Sequence, residues 1–211
     1  MASLSTLLAL ADSRLPTGGH VHSGGVEEAI TSRLVVDITT LEAYLRRRIR
    51  TSGLVTASVA AAMHRGELTA TAADAETDAR TPAPAARQAS RAQGRGLLRL
   101  ARRVWPSTEW DALGPRPHLA VTAGRVGAAS GLTHQQTALS VVYTTMTGTA
   151  TAAQRLLALD PADVAVLTFG LAELCEQTAE RAVTALADLS DPLLDELAQQ
   201  HAQRERPLFV S

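Results

Sequence analysis

Apolar residues recur along most of the chain at helical rather than strand spacing. The segment from Leu41 to Arg65 shows this most clearly. Four of its apolar side chains fall on one helical face: Leu41, Tyr44, Leu45 and Ile49. Thr39 or Thr40 is a suitable N-cap for this helix, and Gly53 is expected to kink or split it. Because no alternating run of strand length occurs, the pattern predicts an all-α fold.

Proline and glycine divide this pattern into about eight to ten helices. The two prolines of RTPAPAARQ mark the clearest interruption, and GPRP at 114–117 marks a second loop. Other helices are expected at 4–11, 23–33, 85–104, 120–131, 133–158 and 161–188, with a short acidic one before Asp78 and a last one from Asp191-Pro192. No repeat or composition shift separates lobes. Residues 1–211 are therefore predicted to form a single compact helical domain, with 203–211 as a mobile C-terminal tail.

Composition supports this fold class. Hydrophobic residues make up 45% of the 211 residues, whereas aromatic residues make up only 3%. Ala and Leu replace the missing aromatic residues, and both favour helices, while strands favour β-branched and aromatic residues.

Charge and cysteine usage exclude several classes of function. The formal net charge is −1, so no overall field attracts nucleic acid or a membrane surface. All 20 basic residues are Arg, which excludes a lysine-containing P-loop and Schiff-base chemistry. The lone Cys175 has no partner for an internal disulfide, and we find neither a signal peptide nor a run of ~18 apolar residues. These features predict a cytoplasmic protein.

The segment LPTGGHVHSGGVEEAI at 15–30 has three interpretations. In an extended stretch His20 and His22 share a face, and carboxylates such as Asp12, Glu27 or Glu28 would complete a metal site. A turn whose glycines allow tight packing and whose histidines cap a helix or contact a partner is favoured, because a stable metal site needs three or four ligands. A phosphate-binding loop is disfavoured, since both a lysine and a preceding strand are missing.

The segment RQASRAQGRGLLRLARR predicts a helix with a basic face. Its arginines recur every four residues from Arg87 to Arg99, opposite an apolar arc that includes Gln93. Gly94 and Gly96 expose backbone for the close approach of another segment. The basic face is either solvated, or it docks an acidic partner, or it binds nucleic acid. The last interpretation is disfavoured because no aromatic residues are interleaved with the arginines.

Sequence patterns typical of catalysis are missing. The chain contains no GxSxG or HExxH motif and no obvious nucleophile–base pair. Cys175 fits a helical pattern as a half-buried hydrophobic residue, and His118 is expected to cap the helix that follows it. The residues therefore predict a protein that is not an enzyme.

The C-terminal sequence RERPLFVS ends the last predicted helix with apolar residues. Leu208 and Phe209 either dock on the domain itself or become ordered when a partner binds.

Four fragments, in this order, resemble the UreF family of urease accessory proteins. LPTGGHVHSGGVEEA is similar to the N-terminal signature of the family, and RQASRAQGRGLLRLA to its central helix. PHLAVTAGRVGAASGL resembles a helix that begins near His118 and contains Gly124, and QQHAQRERPLFVS resembles the C-terminal pattern. The matching positions are His22, Ser23, Gly25, Val26, Glu27, Arg91, Gln93, Gly94, His201, Arg206, Leu208, Phe209 and Ser211. The resemblance spans nearly the whole chain and is to mycobacterial and actinobacterial members.

Two positions depart from the family pattern. Asp160-Pro161 stands where many members carry a Gly-Gln element, and Pro207 interrupts the terminal Arg-Leu-Phe.

The resemblance implies a UreF-like, usually dimeric, all-helical scaffold without a cofactor of its own. Such a scaffold bridges a UreD- or UreH-type accessory protein to the UreG-type GTPase, and the complex supports nickel insertion into urease apoprotein. Partner binding is expected at His22, Ser23, Glu27, Arg91, Gln93, Gly94, Arg95, Arg206, Leu208 and Phe209. Two alternatives stay open: a helical metal-dependent enzyme that uses His20 and His22, and a nucleic-acid-binding regulator that uses the Arg87–Arg103 face.

Overall fold

The computed structural model describes residues 4–12, 15–17, 22–204 and 208–209. In these residues every regular element is helical, which confirms the predicted all-α fold. The α-helices are α1 Leu4–Leu10, α2 Val26–Thr31, α3 Ile38–Arg48, α4 Leu54–His64, α5 Ala70–Ala79, α6 Pro84–Val104, α7 Leu119–Ala129, α8 His134–Leu157, α9 Pro161–Gly170, α10 Ala172–Ala182 and α11 Pro192–Ala202. No helix among the described residues combines the length and the apolar character that crossing a membrane requires.

The predicted helix from Leu41 to Arg65 is divided into α3 and α4 by a π-helical turn, Ile49–Gly53. This turn ends at the glycine that the sequence marks as a break. α3 begins after Asp37, whose carboxylate accepts a hydrogen bond from the Thr40 amide, while the Thr40 hydroxyl accepts one from the Asp37 amide. The N-cap is therefore Asp37, and Thr40 completes the capping box from inside the helix.

α4 lies at the centre of the domain and packs against α5, α7, α8 and α10. Its residues from Leu54 to Ala62 are buried except at position 56, as expected for an interior helix that is apolar on all sides. α7 approaches it closely, because a Cβ atom on Gly124 would lie 2.5 Å from the Ala60 carbonyl oxygen. Only glycine permits that separation between the two helices.

The prediction of one helix over 161–188 is wrong, because the helix is divided at Leu171 and ends at Ala182. Leu171 is fully buried, and its φ of −96° and ψ of −2° interrupt the regular helix. Beyond α10, the Arg65 guanidinium donates a hydrogen bond of 3.1 Å to the Val183 carbonyl, which a longer helix would need for its own next turn. Long-range contacts therefore override local helix propensity here.

Candidate partner-binding site

The glycine-rich turn at 22–25 leads directly into α2. Gly24 and Gly25 have φ values of +64° and +83°, a left-handed conformation that glycine adopts without strain. The Gly24 carbonyl accepts hydrogen bonds from the Tyr44 hydroxyl at 2.9 Å and from Arg48 Nη1 at 2.6 Å, both on α3. The turn thus fixes the start of α2 against α3, which agrees with the interpretation of its glycines as residues that allow tight packing.

The start of α11 is fixed to α3 by Asp191. This buried carboxylate caps α11 through the Leu193 and Leu194 amides and pairs with Arg47, whose Nη2 lies 2.7 Å from Oδ1. The Thr51 hydroxyl donates a further hydrogen bond at 3.0 Å. Burial would raise the pKa of Asp191, but the hydrogen bonds from Arg47 and Thr51 outweigh it and the pKa is lowered.

At its other end α11 meets α2 and the C-terminal tail through the Glu27 carboxylate. Glu27 Oε2 lies 2.6 Å from His201 Nε2, and both side chains are buried. The Leu208 amide donates to Oε1 at 2.8 Å, and the Phe209 amide donates to Oε2 at 3.0 Å. We call these four residues the Glu27 clamp, because one carboxylate joins α2, α11 and the tail.

Hydrogen bonding keeps the carboxylate of the clamp ionised. Burial alone would raise the pKa of Glu27, but the hydrogen bonds from His201 and from the amides of Leu208 and Phe209 outweigh it and lower the pKa. Charge-assisted hydrogen bonds of this kind are stronger than those between neutral groups. The tail segment is therefore held through its backbone, whatever side chains it carries.

Glu28 reinforces the same contact between α2 and the end of α11. Its Oε2 accepts from Arg204 Nη1 at 3.0 Å, and the same Arg204 atom donates to the Thr31 hydroxyl at 2.5 Å. Both acids of the Glu-Glu pair are thus used to hold the C-terminal part of the chain.

Two of the expected partner-binding residues, His22 and Ser23, lie inside the domain. His22 is 8% exposed and Ser23 is fully buried, and the Ser23 hydroxyl has no hydrogen-bond partner among the described residues. A role for either in partner binding is therefore an indirect one, through the position of α2.

The basic helix α6 contributes a second cluster, centred on Arg91. Its guanidinium binds both carboxylate oxygens of Asp74, at 3.1 and 2.7 Å, and Asp78 at 3.0 Å. It also donates to the Arg116 carbonyl at 2.7 Å. The expectation of an exposed Arg91 is wrong, since its side chain is only 21% exposed and links α6 to α5.

His118 extends this cluster to α7. Its Nε2 lies 2.9 Å from Asp78 Oδ1 and its Nδ1 lies 3.0 Å from the Ser90 hydroxyl. His118 occupies the N-cap position of α7, as the sequence predicts, but its fully buried side chain makes no capping hydrogen bond. We call Asp74, Asp78, Ser90, Arg91 and His118 the Arg91 network.

The network has ligand types that a metal ion uses, but its charges are already balanced. The ligand atoms of Asp74, Asp78 and His118 lie within 4.8 Å of one another. The Arg91 guanidinium, however, binds both carboxylates, so a cation would have to displace it. Burial lowers the pKa of His118, and the hydrogen bond to Asp78 opposes this only in part. The arrangement is that of a structural network between helices.

Two glycines of α6 permit the backbone contacts that the sequence predicts. A Cβ atom on Gly94 would lie 2.2 Å from the Pro117 carbonyl oxygen, and one on Gly96 would lie 2.1 Å from the Thr17 carbonyl oxygen. Neither position accepts a side chain without a shift of the backbone.

A cavity of about 580 Å³ borders the Glu27 clamp and also reaches Ser90 of the Arg91 network. Its lining includes Leu10 of α1, His22 of the glycine-rich turn, Gln93 of α6, and His201 and Phe209 of the clamp. Gln93 and Phe209, two of the expected partner-binding residues, thus line the same cavity.

The remaining arginines of α6 divide into paired and unpaired ones. Arg87 lies 3.6 Å from Asp78, and Arg102 lies 2.7 Å from Asp111. Arg95, Arg99 and Arg103 are exposed, and in the part of the chain that the structure describes they form no ion pair. Only this outer part of the predicted basic face is available to a partner.

Some expected residues lie outside the described part of the chain, and some important ones were missed. Arg206, an expected partner-binding residue, and His20, of the metal hypothesis, are not among the described residues. Arg204 was not predicted, Asp191 was predicted only as the start of the last helix, and His201 was predicted only as part of the C-terminal pattern. A carboxylate before a proline is a recognisable N-cap signal and identifies Asp191, but no local signal marks Arg204.

Comparison with known proteins identifies one family. The UreF family model matches residues 35–172. The urease accessory protein UreF of Mycolicibacterium vanbaalenii is 74% identical over 214 residues, covering 100% of both chains. The proteins of the same name from Mycobacterium marinum and Mycobacterium tuberculosis are each 71% identical over 211 residues, again covering 100% of both chains.

Proposed function

Because the chain belongs to the UreF family of urease accessory proteins, we propose that it is a scaffold for urease maturation and not itself an enzyme. In this proposal a homodimer binds a UreD- or UreH-type accessory protein and a UreG-type GTPase. It thereby supports the insertion of nickel, the cargo of the assembly, into urease apoprotein in the cytoplasm. The absence of lysine from the chain fits a division of labour in which another protein hydrolyses the nucleotide.

The observation that carries the proposal is the Glu27 clamp. It holds the tail by backbone amides, so that Phe209 packs partly against the core while Leu208 remains 80% exposed. The fixed backbone holds the Leu208 side chain outside the domain, where another protein can cover it.

Helix α1 adds apolar surface near the same cavity. Leu4 and Leu8 are 68% and 63% exposed, and α1 has no buried residue. Leu10 at its end lines the cavity together with Phe209. We therefore assign the first partner contact to the combined surface of α1 and the tail.

The unpaired arginines of α6 supply a second contact. Arg95, Arg99 and Arg103 recur every four residues over about 12 Å of helix. We assign them to an acidic surface of a partner, which is one of the three interpretations that the sequence left open for the whole basic face.

Neither alternative function gains a supporting observation. Two of the three carboxylates proposed for a His20/His22 metal site, Glu27 and Glu28, already bind His201 and Arg204. On the Arg87–Arg103 face that would bind nucleic acid, Arg87 and Arg91 already form ion pairs within the domain.

The proposal is tested by co-expressing the chain with its cognate UreD-type protein and UreG-type GTPase and by measuring the eluted complex by light scattering. We expect an assembly that contains two copies of the scaffold and both partners. Leu208→Ser should weaken binding of one partner about tenfold. The matched control is Leu34→Ser, at a side chain that is 49% exposed on another loop, and this variant should leave the assembly intact. A parent chain that elutes without either partner would contradict the proposal.

A further inference from the structure

The outer surface of α9 and α10 is one continuous ridge. Their inner stripe is buried at Val164, Leu167, Leu171, Cys175, Thr178, Ala179 and Ala182. The opposite positions are exposed in both helices, although the helix is interrupted at Leu171. The exposed positions of the ridge run from 162 in α9 to 180 in α10.

The first half of this ridge is apolar. Val166 and Phe169 are 72% and 82% exposed, and they are the most exposed large apolar residues of any described helix. Ala162 and Ala165 extend the same surface. Exposed aromatic and aliphatic side chains on one face are typical of a surface that another protein covers.

The second half of the ridge is acidic. Glu173, Glu176 and Glu180 follow Phe169 along the same face and are exposed. Among the described residues none of these three carboxylates forms an ion pair, whereas Glu27, Asp78 and Asp191 all do. The ridge therefore combines apolar side chains with negative charge that the domain itself does not balance.

We propose that the α9–α10 ridge docks a partner protein whose surface has an apolar pocket beside basic side chains. The pocket accepts Phe169 and Val166, and the basic side chains pair with Glu173, Glu176 and Glu180. Complementary charge fixes the direction in which the partner lies along the ridge and raises its association rate. This inference rests on the proposed function, because it adds a docking surface to the same scaffold, on elements separate from the clamp and the α6 arginines.

A second copy of the chain that meets the ridge with its own ridge fits poorly. A two-fold axis through the middle of the ridge would place the apolar half of one copy on the acidic half of the other. An axis through the apolar half would leave the carboxylates of both copies without cations. A different protein with basic side chains matches both halves at once.

The experiment compares two ridge variants with two matched controls in the co-expressed complex. Phe169→Ser/Val166→Ser removes the apolar half, and Glu173→Arg/Glu176→Arg/Glu180→Arg reverses the acidic half. The controls are Leu34→Ser/Val36→Ser, at apolar side chains 49% and 50% exposed, and Glu196→Arg, at an exposed acid of α11. Light scattering gives the stoichiometry, titration of each purified partner gives its dissociation constant at low and high salt, and circular dichroism checks that each variant is folded.

We expect both ridge variants to bind one partner at least about tenfold more weakly, and the control variants to bind it like the parent chain. The charge-reversed variant should also lose most of the salt dependence of that binding. Parent-like binding by both folded ridge variants overturns this inference and leaves the proposed function intact. A loss confined to self-association of the isolated chain overturns it in favour of a second copy. If the parent chain binds no partner, the proposed function fails and this inference fails with it.

Discussion

The Glu27 clamp and the Arg91 network use similar residue types but hold different kinds of structure. The network links three helices through side chains, with the Arg91 guanidinium shared between two carboxylates and the His118 imidazole bound to one of them. The clamp links two helices to backbone amides of the tail through one carboxylate. Because the clamp binds backbone, it fixes the position of the tail and leaves the Leu208 side chain free for recognition.

The Arg91 network and the Glu27 clamp are expected to have different roles. The network lies between helices that also pack against one another, and the α6 backbone at Gly94 comes close to the backbone of Pro117 and His118 before α7. The described tail residues depend on far fewer contacts. We therefore expect changes in the network to act mainly on stability, and changes in the clamp to act mainly on assembly.

The largest effect is expected from Arg91→Ala. This change leaves Asp74 and Asp78, which are 29% and 36% exposed, without their shared cation. The loss should be about 2 kcal/mol in the free energy of unfolding, between the values typical of exposed and of fully buried pairs. For a chain of this length, thermal unfolding should shift by roughly 4–8 °C, which calorimetry measures.

Arg95→Ala is the matched control, one helical turn further along α6. Its side chain is exposed and without an ion pair among the described residues, so the free energy of unfolding should change by less than about 0.5 kcal/mol. Equal destabilisation by the two variants would remove the structural role that we give to Arg91.

A smaller effect on stability is expected from Glu27→Gln, with a larger one on assembly. The amide retains the shape of the side chain but replaces one acceptor oxygen and removes the charge that the three donors share. The free energy of unfolding should fall by about 1 kcal/mol. Hydrogen exchange of the Leu208 and Phe209 amides should accelerate several-fold, and partner binding should weaken in the same preparation.

Glu28→Gln is the control for this variant. It removes the charge that binds Arg204 but leaves the hydrogen bonds of the tail amides in place. Exchange at Leu208 should therefore stay close to that of the parent chain. Rapid exchange in both variants would show that α11, rather than the Glu27 carboxylate, holds the tail.

Hydrophobic periodicity was sufficient to predict the helices, but not where tertiary contacts override it. The extent of α6 agrees with the prediction to within one residue, because proline and tryptophan mark its ends in the sequence. The division at Leu171 was missed, although Gly170 directly before it disfavours a helix, because the helical spacing of the buried residues continues across it. Periodicity indicates which face of a helix is buried, but it does not indicate which long-range hydrogen bonds compete with those of the helix.

The candidate site shows the same limit in its side chains. Glu27, Arg91 and Gly94 were all selected from the sequence, but their contacts were not predictable. His201 is 174 residues from Glu27 along the chain, and Asp74 is 17 residues from Arg91. Arginines that recur every four residues give the same sequence pattern on an exposed helical face and on a face that packs against an acidic helix. The difference depends on the position of α5, which no local pattern specifies.

The smallest effect, and the one that separates the two clusters most directly, is expected from pH. Burial lowers the pKa of His118 below its ordinary value of about 6.5, so the unfolded chain binds more protons than the folded chain as the pH falls through 6.5, and stability decreases. The pKa of Glu27 is lowered from about 4.5, so the contribution of its carboxylate is lost only below that pH.

Between pH 7.5 and 5.5 the unfolding free energy should fall while the Leu208 amide stays protected. His118→Gln should reduce that slope without abolishing it, because the pKa of His64 is lowered as well, chiefly by burial. An unchanged slope in the variant would remove His118 as an acid-sensitive group, and early loss of protection at Leu208 would place an acid-sensitive contact in the clamp.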